Sequence, residues 1–201
     1  MLITRLAIKE QISMEGFTYS RRHDKFYRAG MAIQVLGAAL LAVLYPLESP
    51  FYTLGIMLFE AGVLFSAVYL LIGMPLIKKL ILLIILGGFV LQAAGFYISE
   101  EYAGSVIIGG IGLVCAGAAG MAGNEAYQFR YREGWLLALF GFPIMVIANL
   151  LGRENRIFNS VGFSVLFLLL LSLAGKRLRH QKVPACMQRD GIEREKNKYQ
   201  R

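Results

Sequence analysis

Six long stretches of this chain are apolar, and all of its charged residues but Glu60 lie in the gaps between them or at the two ends. An apolar run of about 18 or more residues reads as a transmembrane helix, because the hydrocarbon core is about 30 Å thick and a helix rises about 1.5 Å per residue. The stretches are 29–45, 51–73, 80–98, 103–123, 135–152 and 157–175. None alternates polar and apolar residues as a barrel strand must, and a helix satisfies its own backbone hydrogen bonds in lipid. The expected fold class is all-α: a polytopic membrane protein, a bundle of six transmembrane helices over 29–175. Hydrophobic residues make up 57% and charged residues 17%, against roughly 45–50% and about 25% in soluble chains.

The net charge of +8 would suggest nucleic-acid binding in a soluble protein. Its distribution gives a simpler cause. Nineteen of the 21 lysines and arginines fall in segment 1–28, at Lys78 and Lys79, at Arg130 and Arg132, and in the tail 176–201. The alternate gaps hold only Arg153 and Arg156, and "PLESP" and "SEEY" carry acidic charge alone. Basic residues collect on the cytoplasmic side, so both termini are expected inside. Segment 1–28 mixes basic and aromatic residues and is expected to lie at the headgroups. The tail has too few apolar residues to demand a fold. The expected partner is the lipid bilayer with its anionic headgroups, and no nucleic acid. No cleavable signal peptide is evident, so the first helix is expected to act as its own insertion signal.

Glu60 lies near the middle of the second stretch, in "GIMLFEAGVLF". A charge at mid-bilayer costs on the order of 3 kcal/mol or more. Such a carboxyl faces the bundle interior, carries a proton, or finds a partner. Gln34, Gln92 and Asn149 on other stretches are the candidates, and together with Glu60 they form a candidate intramembrane polar site. The fourth stretch, "AGSVIIGGIGLVCAGAAGMAG", is rich in glycine. Small residues let another helix approach closely; a helix lining a pathway is the alternative.

Between the fourth and fifth stretches lies "GNEAYQFRYREGW". A continuing helix places Glu125, Gln128 and Arg132 on one face. An extended chain alternates Tyr127, Phe129 and Tyr131 with Gln128, Arg130 and Arg132. Either gives an aromatic and a cationic side. Asn124, Glu125, Arg130, Arg132 and Glu133 are the candidate cytoplasmic loop network. Glu125 opposes the dipole of the helix end unless an arginine pairs with it.

"GNEAYQFRYREGWLLALFGFPIMVIANLLG" resembles the signature region of an uncharacterised bacterial membrane family, domain of unknown function 2301. Glu125, Ala126 and Phe129 fit its pattern, as do Arg132, Glu133, Pro143 and Gly152. Asn124 stands where that pattern has lysine, and Gln128 where it has cysteine. The resemblance implies a multi-span bacterial membrane protein and brings no known activity.

Several chemistries find no residues. Both histidines, His23 and His180, lie outside the apolar stretches, so an intramembrane Ser–His arrangement and an HExxH zinc site are absent. Cys115 and Cys186 form no CxxC motif. No catalytic residue, metal or cofactor is called for, and His23–Asp24 reads as a solvated pair. Three functions remain open. A small-solute or ion transporter predicts that Glu60, Gln92 and Asn149 converge on a polar cavity; three-plus-three inverted repeats would suit it, but the halves show no convincing similarity. A scaffold or assembly factor predicts paired polar side chains and a working cytoplasmic face. A lipid-modifying enzyme predicts Glu125, Arg130, Arg132 and Glu133 around a headgroup.

Overall fold

The computed structural model describes residues 21–70, 75–151 and 156–179, and every regular element among them is helical. The helices are α1 (Arg21–Leu44), α2 (Tyr52–Val68), α3 (Pro75–Gly95), α4 (Glu100–Phe129), α5 (Arg132–Leu150) and α6 (Arg156–Arg179). Five are long and apolar enough to cross a membrane; α2, with 17 residues, is shorter. Large apolar side chains such as Leu83, Val90 and Leu168 face outward, as lipid-facing residues do. This is the surface of an integral membrane protein.

The helices do not end where the apolar stretches end. α1 starts at Arg21, α4 continues to Phe129 and α6 to Arg179. In the added turns Asp24, Arg28, Glu125, Lys176 and Arg177 find ionic partners. α6 thus takes in the first four residues of the tail. The rest of the tail, and residues 1–20, lie outside the described residues. α2 stops at Val68, before the end of its apolar stretch, and Pro75 opens α3.

Two helical hairpins form the body. α1 packs along α2, and α3 along α4. Their first helices carry one pattern, "GMAIQVLG" at 30–37 and "GFVLQAAG" at 88–95. The partners also match in register. Gln34 lies against Gly62 and Gln92 against Gly110; Gly37 meets Phe59 and Gly95 meets Ile107. A Cβ on Gly62 would sit 2.5 Å from the Gln34 backbone nitrogen, and one on Gly110 2.8 Å from that of Gln92. Glycine is required there because the backbones nearly touch. The repeat is a two-helix unit, which is why a comparison of three-helix halves does not show it.

α5 widens into a π turn at Leu137–Gly141, just before Pro143. Proline supplies no N–H, and its ring crowds the carbonyl four residues back; a wider turn accommodates both. The core runs through Val63, Ile85, Val114, Leu137 and Leu173, all nearly fully buried.

Candidate functional site

The repeated glutamines have different partners. Gln34 donates to the Gly62 carbonyl and, at 2.9 Å, to Ser66 Oγ within its own hairpin. In the second hairpin Gly88 meets Val114, where the first has Gly30 against Ser66. Valine offers no acceptor. Gln92 instead donates to Glu60 Oε1 of the other hairpin at 2.7 Å. A Ser-to-Val difference thus frees one amide to reach the acid.

Glu60 and Gln92 line a cavity of about 500 Å³. Every helix contributes to its wall. Tyr45, Tyr52 and Phe96 stand toward the end that holds the α1–α2 and α3–α4 turns, while Cys115, Phe142 and Leu170 lie deeper. Tyr52 and Phe96 are exposed, so the cavity opens at that end. Asn149 and Asn159 share the wall. Their amides exchange two hydrogen bonds, and Asn159 also donates to Tyr45 Oη at 3.0 Å. Of the four intramembrane residues singled out above, Glu60 and Gln92 bond directly. Asn149 lines the same space but bonds Asn159. Gln34 lies outside it.

At the opposite end the charges are packed shut. Arg177 is 1% exposed. Its Nη2 donates to Asp24 Oδ1 at 2.7 Å, and its Nε faces Glu125 Oε2 at 3.4 Å. Arg28 pairs with the other Asp24 oxygen at 2.7 Å. Tyr27 hydrogen-bonds Glu125, and the Phe129 ring lies 4.3 Å from the guanidinium carbon. Two cations and two anions thus join α1, α4 and α6. Beneath them Val63, Ala67, Leu137, Leu173 and Ala174 are buried, which separates this clamp from the cavity.

The loop network therefore divides. Glu125 turns inward to Arg177, the arginine its place at a helix end demanded. Asn124 accepts from Gln128 at 2.9 Å. Glu133 pairs with Lys176. Arg130 and Arg132 are exposed and form no ion pair among the described residues. The chain between Gly123 and Trp135 is neither one helix nor one strand: Arg130 takes a left-handed conformation (φ 57°) and Tyr131 is extended. Burial pushes the Tyr131 phenol up, and the nearby Glu125 adds to this.

Asp24 is not solvated; it is 5% exposed and paired twice. Glu125, Arg130, Arg132 and Glu133 have different surroundings: Glu125 is buried beside Arg177, Glu133 pairs with Lys176, and both arginines are exposed. Besides Asp24, whose surroundings differ from the solvated pair expected, Arg177, Tyr27, Asn159 and Tyr45 are residues that the sequence does not single out. The Asp24–Arg28 spacing of four was a signal for the first of these contacts, and an asparagine inside an apolar stretch was a signal for Asn159. Among the described residues no three His, Cys, Asp or Glu side chains gather as a metal ligand set. Compared with known protein families, curated proteins and solved structures, the chain matches none.

Proposed function

We propose that this chain is a small-solute or ion transporter of the bacterial cytoplasmic membrane, with six spans and both termini inside. In this reading α2 is the sixth span, and 17 residues at about 1.5 Å each nearly reach across the hydrocarbon. The basic end, where Lys25, Lys78, Lys79, Arg130, Arg132 and Arg179 collect, is cytoplasmic and meets anionic headgroups. Kinship with the bacterial family resembled at 123–152 belongs to the same proposal.

The observation that carries it is Glu60, an acid lining an open cavity with one neutral amide for a partner. A carboxyl bound only for packing would be enclosed, since interhelical hydrogen bonds stabilise by only about 1 kcal/mol. In the cavity its charge is balanced by a proton or by a cation that replaces it. The clamp closes the cytoplasmic end in this state, and its opening would give access from inside. The scaffold reading draws on a different observation: Gln34 and Asn149 are satisfied by neighbours, as packing residues are.

Cysteine accessibility separates the two. Ile108→Cys, in the cavity wall, is placed in a Cys115→Ala, Cys186→Ala background and treated with a membrane-impermeant thiol reagent in right-side-out and inverted vesicles. A transporter gives labelling from outside and slower labelling from inside. No reaction at Ile108→Cys from either side would overturn the proposal.

A further inference from the structure

We infer that the Glu60 cavity takes a small organic cation, a protonated amine on an apolar body. This rests on the reading of the cavity as a solute site and adds the class of solute. Three observations lead there. First, the ionisable groups of the wall are one carboxyl (Glu60), one thiol (Cys115) and two phenols (Tyr45 and Tyr52). Among the described residues no lysine, arginine or histidine lines it, so the described wall can balance a positive charge and has nothing to balance a negative one. Second, Gln92 holds one oxygen of Glu60, and the other accepts no hydrogen bond from any described residue. That oxygen is available to an N–H donor, and a charge-assisted bond of this kind is the strong one.

Third, the remaining wall is mainly aliphatic and aromatic, with Leu41, Ile56, Ile107, Ile111 and Phe163 among its residues. An inorganic cation entering there would exchange its hydration shell for a single carboxylate and two or three amides, too few oxygens for a hard ion. An ammonium on a hydrocarbon body loses less water and buries apolar surface. About 500 Å³ is the scale of a small-molecule pocket. The Asn149–Asn159–Tyr45 cluster at the mouth offers neutral polar contacts to the trailing end of such a molecule.

The test uses the full chain in lipid nanodiscs, with empty nanodiscs as the blank. Equilibrium binding of adamantylamine, adamantanol and adamantane carboxylate compares three charges on one rigid body. The amine is expected to bind about tenfold more tightly than the alcohol, and the carboxylate most weakly. Glu60→Gln should bring the amine to the level of the alcohol while the alcohol still binds. Gln92→Leu, which keeps the acid, should retain the amine preference. Equal binding of all three, or preference for the carboxylate, overturns the assignment of a cation while the cavity remains a solute site. No binding above the blank by any of them, with Ile108→Trp equally silent, overturns the solute site itself.

Discussion

The clamp at the basic end and the cavity within the bundle solve the problem of a buried carboxylate in opposite ways. At the basic end Asp24 and Glu125 lie against Arg177 and Arg28, and all but Arg28 are almost fully buried. In the cavity Glu60 has one amide and space beside it. The first is a structural joint among three helices: each charge is cancelled where it stands. The second leaves a charge to be cancelled by something that is not part of the chain. Burial alone does not distinguish them, since Glu60 and Asp24 are equally covered at 5%. What surrounds the carboxyl does.

The sharpest way to break this comparison is to remove the central cation. Arg177→Met leaves two carboxylates buried without their shared partner, and the loss should be about 3–5 kcal/mol in a reversible detergent-unfolding titration. Glu60→Gln, an isosteric change beside a neutral partner, should alter stability by about 1 kcal/mol or less in the same titration. If the two variants fall by the same amount, Glu60 is a joint like the other and the contrast is lost.

The hairpin interfaces give the next effect. A Cβ on Gly37 would lie 2.4 Å from the Phe59 backbone nitrogen, whereas at Gly87 nothing lies within 4 Å. Gly37→Ala should cost about 1–3 kcal/mol by forcing the helices apart. Gly87→Ala should be neutral or slightly stabilising, by up to about 1 kcal/mol, because alanine is the better helix former. Thermal unfolding in one detergent reads both, and equal effects would contradict the packing described.

Ser66 and Val114 sharpen the difference between the repeated glutamines. Ser66→Val removes one acceptor from Gln34 and should cost about 1 kcal/mol, measured by the same unfolding titration. The smallest effect is at Arg130. Its φ of 57° costs an arginine what it does not cost glycine, so Arg130→Gly should stabilise by roughly 1 kcal/mol. A loss instead would show that the arginine side chain makes a contact that outweighs its backbone strain.

Much of the fold was legible in the sequence because lipid permits few solutions. Continuous apolar runs specify helices, and charged gaps specify turns. What was not legible depends on partners distant in sequence. Arg177 stands in a basic run that reads as solvated tail, and only the extension of α6 past Gly175 brings it under Asp24, 153 residues away. The glycines of the fourth stretch read as a packing surface, and at Gly110 and Gly117 they are one; their register with "GFVLQAAG" becomes evident only once the helices are paired. Glu60 was conspicuous from its cost alone. That Gln92, rather than Gln34, reaches it turns on the valine at position 114, which no local pattern marks.

The most direct test of the contrast labels all three acids at once. The full chain in native membranes is treated with an apolar carbodiimide across a range of pH, and modification of Glu60, Glu125 and Asp24 is read by mass spectrometry. The reagent attacks protonated carboxyls that it can reach. Selective modification of Glu60 that fades as pH rises is expected, with Asp24 and Glu125 protected throughout. Glu60 unmodified at every pH, or modified no faster than the two clamped acids, would contradict this contrast and leave Glu60 a sealed structural acid.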